Sequence, residues 1–178
     1  MLSYLVLLFA LLSRLLPPVL HLSAWNFTAV GGSLLFFGAR RPRWQSAIAV
    51  AALMVTDYLL TVHAYHYPFH VASYLVTWAW YAGVCLLGHQ LLQRATTLRV
   101  TAAVLTSATS FFLLSNFVVW LGAMYAHSFA GLTACYVAAL PFYRNDLIST
   151  GLVAGALFGL PALAARFAHR SHAAQPAV

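Results

Sequence analysis

The segment GARRPRWQS, residues 38–46, decides the fold of this chain, because it sets three arginines and a proline between two long apolar runs. It is one of three short polar gaps or ends that together hold seven of the nine arginines, and the chain contains no lysine. The seven are Arg40, Arg41, Arg43, Arg94, Arg99, Arg166 and Arg170. Basic residues are retained on the cytoplasmic side of membrane crossings, so the arginines predict both a membrane protein and its topology.

The composition of the chain indicates the same class. With 63% hydrophobic residues, 6% charged residues and a mean hydropathy of +0.85, the chain cannot offer water the charged surface that a soluble domain of its length needs. We therefore expect an integral membrane protein whose main partner is the lipid bilayer. A net charge of +7 would suggest nucleic acid in a soluble protein, but cytoplasmic retention of arginine explains it here, and we expect no nucleic-acid partner.

The apolar runs predict an all-α fold, a bundle of six transmembrane helices in one domain over residues 1–170, with a short cytoplasmic tail at residues 171–178. The predicted crossings are Leu2–Leu16, Thr28–Ala39, Trp44–Val62, Val71–Leu92, Leu98–Tyr125 and Leu147–Ala168. With the N-terminus inside, the three arginine groups and both termini lie in the cytoplasm, and Arg144 alone lies in an outer loop.

Two segments depart from simple crossings in this prediction. The second crossing is short and contains Gly31 and Gly32. At ~1.5 Å per residue it covers little more than half of the ~30 Å hydrocarbon core, so we expect a broken helix with a half-unwound stretch shielded by protein. Ser128–Phe142 contains Pro141 and is too short and interrupted to cross by itself. It is predicted to lie at the membrane surface or to form a re-entrant turn before the last helix.

Asp57 is one of two carboxylates in the chain and the only one predicted inside a crossing. A charge at membrane depth is costly, so Asp57 should be paired, protonated or in contact with water or a ligand. Arg14 is its predicted partner, because both residues lie in the outer halves of their crossings. The pair is either a structural tie between the first and third helices or part of a ligand site, and both hold if it lines a cavity.

Further polar residues are predicted at a similar depth. Asn116 and Trp120 are spaced i, i+4 and so share one face of the fifth helix. Asn26 precedes the short second crossing, where exposed backbone is tolerated if it lines a cavity. A buried asparagine needs either an interhelical hydrogen bond or a ligand. The sequence predicts an outward-facing pocket surrounded by Asn26, Asp57, Asn116, Trp120 and Arg14, with Trp120 stacking on a flat polar ring.

His63, His66 and His70 have the i, i+3, i+7 spacing of one helical face, where neutral imidazoles bind a transition metal. Pro68 argues against a shared face, because it disfavours helix at Tyr67 and so ends the helix before His70. The alternative is that these rings lie at the membrane interface. A helical histidine can also ligate haem or a chlorophyll magnesium, but no opposed histidine pair supports a tetrapyrrole here, and we predict no cofactor.

The chain carries no sequence motif for hydrolysis or phosphoryl transfer. It lacks a P-loop lysine, HExxH, GxSxG and a close pair of carboxylates. Asp146 stands two residues from Arg144 and is predicted to form a solvated loop pair with it. We therefore predict that the protein is not an enzyme.

Several motifs resemble a family of small bacterial six-helix membrane proteins of unknown function, and the likeness runs from Arg14 to Gly159. The motifs are Arg14-Leu15-Leu16-Pro17, Asn26-Phe27-Thr28-Ala29-Val30-Gly31, Ser115-Asn116-Phe117-Val118-Val119-Trp120, Gly131-Leu132-Thr133-Ala134-Cys135-Tyr136 and Leu140-Pro141-Phe142, with an aspartate late in the third helix. The family is distantly similar to the S components of energy-coupling-factor transporters, which capture vitamins or metal ions outside the cell and pass them to an ATP-driven module. The resemblance implies a bacterial inner (plasma) membrane location and a membrane coupling subunit as a candidate partner. It also implies a pocket at Asn26, Asp57, Asn116 and Trp120.

We therefore predict a membrane protein that binds or transports a small polar organic solute through an outward-facing pocket. The alternative is a non-catalytic accessory subunit of a larger membrane complex, which contacts a partner, a pigment or haem. The two predictions differ in one structural respect. A solute-binding protein has an internal cavity lined by polar side chains, whereas an accessory subunit has a filled core and a broad apolar flank.

Overall fold

The computed structural model describes residues 1–19 and 28–164, and in this part of the chain every regular element is a helix. Six α-helices are present there: α1 (Leu2–Val19), α2 (Val30–Arg40), α3 (Ser46–Leu59), α4 (Leu75–Leu91), α5 (Thr97–Leu121) and α6 (Phe129–Ala154). Short 3-10 turns precede α3 and α4 at Arg43–Gln45 and Val71–Tyr74, and π turns follow α3 and α6 at Leu60–Ala64 and Gly155–Gly159. The all-α prediction is confirmed for the described residues.

Within residues 1–19 and 28–164, four helical segments are long and apolar enough to cross a membrane. They are Arg43–Ala64, Val71–Leu91, Thr97–Leu121 and Phe129–Ala164. The apolar part of α1 is shorter, and the 11 residues of α2 extend ~16 Å, about half of a ~30 Å hydrocarbon core. The described chain therefore has the helices of a membrane protein.

α2 is a regular, central helix, so the predicted half-unwound second crossing is wrong. Every residue from Val30 to Gly38 is buried, because α2 packs against α1, α4 and α6. A Cβ on Gly38 would lie 1.9 Å from the Cys85 carbonyl oxygen, and one on Gly88 would lie 2.2 Å from the Leu35 carbonyl oxygen. This close approach of the α2 and α4 backbones offsets the low helix propensity of glycine.

α6 is one continuous helix that includes most of the segment predicted to lie at the membrane surface or in a re-entrant turn, so that prediction is wrong. The Ser128 side chain accepts a hydrogen bond from the Gly131 amide at 3.2 Å and caps the start of the helix. Helical structure continues to Ala164, ~54 Å at 1.5 Å per residue. Pro141 is exposed and removes one backbone donor inside α6, and the helix continues through it, as membrane helices tolerate.

Because α6 is continuous, the sixth crossing and Arg144 lie elsewhere than predicted. The predicted crossing Leu147–Ala168 is the second half of the helical segment as far as Ala164, and residues 165–168 lie outside the described residues. Arg144 is exposed on α6 and does not lie in a loop. The predicted tail, residues 171–178, also lies outside the described residues.

One end of the bundle carries arginines in contact with aromatic rings. The Arg40 guanidinium lies 5.6 Å from the Phe36 ring centroid, and the Arg41 guanidinium lies 4.3 Å from that of Tyr4. Tyr4 is near the start of α1, and Arg14 stands ten residues further along, ~15 Å at 1.5 Å per residue. Arg14 is therefore well separated from the arginine end.

Candidate functional site

A buried ion pair joins α1 to α3. Arg14 Nη2 lies 2.6 Å from Asp57 Oδ1, and the two side chains are 17% and 2% exposed. Near the starts of the same two helices, the Tyr4 hydroxyl donates to Gln45 Oε1 at 3.1 Å. α1 and α3 therefore run parallel, which brings Arg14 and Asp57 to one level. The predicted pairing is confirmed.

Three further side chains complete the polar network around the ion pair. The Trp78 indole N–H donates to Asp57 Oδ2 at 2.9 Å. Arg14 Nη1 donates to Thr56 Oγ1 at 3.2 Å and to the Tyr81 hydroxyl at 3.1 Å. Both Asp57 oxygens are hydrogen-bonded, which compensates for the burial of the carboxylate. Sequence reasoning misses Trp78 and Tyr81, although two rings with polar tips spaced i, i+3 in an apolar helix are a signal for such a role.

A cavity of about 390 Å³ lies beside this network. Its described lining comes from α1, α2, α4, α5 and α6, and from Thr28 just before α2. The other polar lining residues are Arg14, Tyr81, Ser115, Asn116, Tyr143 and Asp146. Aromatic rings of Trp80, Phe111, Phe112 and Phe142 form much of the remaining wall. Arg14 belongs to both the network and the cavity, whereas Asp57 is not among the described lining residues.

Of the predicted pocket residues on α5, Asn116 lines the cavity and Trp120 does not. The Asn116 side-chain amide donates to the Phe112 carbonyl oxygen at 2.7 Å, within its own helix. The Trp120 indole N–H donates to the Ala126 carbonyl oxygen at 3.1 Å, in the loop that follows α5. Trp120 stands one turn, ~6 Å, beyond Asn116 along α5 and is not among the residues that line the cavity. The structure therefore does not place its ring where it was expected to stack on a ligand. Asn26 lies outside the described residues.

Asp146 is a cavity residue that the sequence does not indicate. Its Oδ1 accepts a hydrogen bond from the Thr150 hydroxyl at 3.4 Å, while its Oδ2 is buried and has no hydrogen-bond partner among residues 1–19 and 28–164. The predicted loop pair with Arg144 is wrong, because residues two positions apart on a helix do not face each other, and Arg144 is exposed. The apolar character of residues 129–164 is the available signal. If these residues are interpreted as one helix, Asp146 lies inside the bundle.

The three histidines considered as metal ligands do not share a helical face. His63 lies in the π turn that ends at Ala64, whereas His66 has a φ of 57° and His70 precedes the next helical turn. The chain leaves the helix before His70, as Pro68 predicts. In the part of the chain that the structure describes, no group of three or more histidine, cysteine, aspartate or glutamate residues could hold a metal ion.

These features define a class: an all-α protein with helices that can cross a membrane and a polar cavity beside a buried ion pair. The chain belongs to the DUF6580 family, a family of unknown function whose model matches residues 1–174. The predicted membership of an uncharacterised family is confirmed. No curated protein and no solved structure matches the chain significantly.

Proposed function

We propose that this protein binds a small polar organic solute in the cavity between α1, α2, α4, α5 and α6, as a transport component similar to the S components of energy-coupling-factor transporters. The cavity itself supports the proposal, since it measures about 390 Å³ and is lined by Arg14, Asn116 and Asp146 together with aromatic rings. Ligand pockets typically measure about 300–1,000 Å³ and combine apolar walls with a few polar groups. The cavity has both properties.

The cavity also bears on the alternative, a non-catalytic accessory subunit of a larger membrane complex. That role predicts a filled core, but the described core contains this opening beside the ion pair. Exposed apolar side chains on α5 and α6, such as Leu113 and Val137, need no protein partner where these helices face lipid. Solute binding is therefore the better-supported function, and it includes no catalytic step.

In the proposed arrangement all six helices cross the bacterial inner membrane, with the arginine end and both termini in the cytoplasm. Arg14 stands ~15 Å along α1 from Tyr4, which contacts the arginine end, so the ion pair lies at or beyond the middle of a ~30 Å hydrocarbon core. In this orientation, we propose that the cavity beside it opens toward the outside. α2 crosses only as part of the bundle, because its neighbours bury it. A membrane coupling subunit is the expected partner.

Native mass spectrometry of the detergent-purified protein tests the proposal. We expect a retained small molecule, and its loss in Ala139→Phe, because Ala139 is buried in the cavity wall and a phenyl ring would occupy the space. Val137→Phe is the matched control, since it adds the same ring at an exposed position of α6 and should keep the molecule. A protein that retains no solute, or equal retention by the two variants, would count against the proposal.

A further inference from the structure

We propose that the solute is a small organic cation whose charged group is held by the Asp146 carboxylate. This inference rests on the proposed function of the cavity and adds the chemical class of its ligand. It is supported by the balance of charge around the cavity, by the unpartnered carboxylate oxygen and by the aromatic walls.

The ionisable groups at the cavity include one carboxyl group without a cationic partner among the described residues. Arg14 and Asp57 form the only salt bridge within residues 1–19 and 28–164, at 2.6 Å, and so neutralise each other. Asp146 is the carboxylate in the described lining. Burying a carboxylate away from water is strongly unfavourable unless an opposite charge accompanies it. A cationic ligand supplies that charge.

The hydrogen bonding of Asp146 leaves an acceptor open for such a group. Thr150, one turn along α6, donates to Oδ1 at 3.4 Å, whereas Oδ2 is buried without a partner in the described parts of the chain. The α6 backbone does not supply a donor there, because amides in the middle of a helix bond to carbonyls of the preceding turn. An ammonium or guanidinium group brings both charge and donors, and charge-assisted hydrogen bonds are the stronger kind.

The walls of the cavity also favour a cation with a flat body. The Trp80 and Phe111 ring centroids are 4.6 Å apart, and those of Phe112 and Tyr143 are 4.8 Å apart, so each pair forms a packed wall. The faces of aromatic rings carry negative partial charge and attract cations within ~6 Å of the centroid. A ring whose face lines the cavity can also stack on a planar ligand.

Arg14 is the lining residue that would attract an anion, but its charge is already paired. Its Nη2 donates to Asp57, and its Nη1 donates to Thr56 and Tyr81. An anionic solute would compete with the Asp57 carboxylate at 2.6 Å and would also face Asp146. The arrangement therefore selects against anions.

Three indole probes of similar shape separate the charge classes: tryptamine is a cation at neutral pH, tryptophol is neutral and indole-3-acetate is an anion. Isothermal titration calorimetry on the detergent-purified protein measures each Kd. Tryptamine should bind at least about tenfold more tightly than the other two, because only its head group forms a charge-assisted hydrogen bond with Asp146. Equal binding of tryptamine and tryptophol, expected if a proton neutralises Asp146, overturns the inference, and so does absence of tryptamine binding.

Two variants test whether Asp146 causes the tighter binding of tryptamine. Asp146→Asn keeps the side-chain size and should weaken tryptamine binding about ten- to hundredfold while leaving the Kd of tryptophol unchanged. Arg144→Gln is the matched control, because it alters one charge two residues away at an exposed position of α6 and should change neither Kd by more than about twofold. Equal weakening of tryptamine binding by both variants overturns the assignment.

The outcomes for the cavity and for its ligand class are distinguishable. A retained neutral or anionic solute that Ala139→Phe removes would leave the proposed function standing and overturn the cation inference. The comparison of the three probes on the unaltered protein does not depend on whether Asp146→Asn folds.

Discussion

Removing the charge of Asp57 alone should destabilise the protein more than removing both charges of the ion pair. In Asp57→Asn, the Arg14 guanidinium keeps its charge but loses the carboxylate 2.6 Å away, while its side chain is only 17% exposed. Breaking a buried pair by removing one partner costs about 3–5 kcal/mol in the free energy of unfolding. Adding Arg14→Gln removes the unpaired charge, so most of that cost should disappear.

The double variant should still lose some free energy of unfolding, because it changes the hydrogen bonds that Asp57 makes. Its oxygens accept from Arg14 at 2.6 Å and from Trp78 at 2.9 Å. An asparagine has one side-chain oxygen, so it keeps an acceptor for Trp78 and loses the second. A net hydrogen bond contributes about 0.5–1.5 kcal/mol, and we expect the double variant to lose roughly 1–2 kcal/mol.

Equilibrium unfolding in mixed detergent micelles, followed by circular dichroism of the helices, measures the difference. Asp146→Asn is a control with the same chemical change at a carboxylate that has no cationic partner among the described residues. It should leave the free energy of unfolding unchanged or raise it. A double variant no more stable than Asp57→Asn would refute the reasoning, because the loss would then not arise from the unpaired charge of Arg14.

Topology reporters test the orientation: one fused after Pro42 should register as cytoplasmic and one inserted near Tyr67 as external, and a cytoplasmic signal near Tyr67 would overturn the six-crossing proposal. Gly38→Ala should lower the free energy of unfolding by about 1–3 kcal/mol, because the new methyl group would overlap a backbone carbonyl of α4. Gly83→Ala, where nothing lies within 4 Å, should be neutral or stabilising, and equal losses in the two variants would contradict the close helix contact. Pro141→Ala should preserve or raise the free energy of unfolding, because it restores a backbone donor inside α6, whereas a clear loss in thermal or detergent unfolding would indicate a turn at that position.

The ion pair could be predicted because the chain has so few charges. With two carboxylates in the whole sequence, pairing Asp57 with Arg14 by depth has few alternatives. An unpaired charge in a membrane costs so much free energy that Asp57 is expected to have a charged partner. The all-α fold follows from the same solvent, because backbone groups in lipid must be hydrogen-bonded within a helix or a closed barrel.

Asp146 and Trp120 show where that reasoning stops. In water a proline such as Pro141 ends a helix, but membrane helices tolerate proline better. Because α6 continues through Pro141, Asp146 belongs to the bundle instead of a loop. Spacing along α5 places Trp120 on the face of Asn116, but whether its ring reaches the cavity depends on the carbonyl oxygen of Ala126 in the next loop, which accepts its indole N–H. Such contacts between elements are not encoded in the periodicity of one helix.

The burial of α2 from Val30 to Gly38 has a consequence for the order of assembly during synthesis. α2 is made before α4 and α6, yet the backbones that lie against its glycines include Cys85 of α4 and Ala154 of α6. Until α6 has left the ribosome, one side of α2 has no protein to cover it, and the helix is too short to span the bilayer alone. The nascent chain therefore passes through an incomplete bundle, the kind of state from which membrane and soluble proteins alike misfold. Among the described helices, α6 thus completes the burial of a helix that is made well before it.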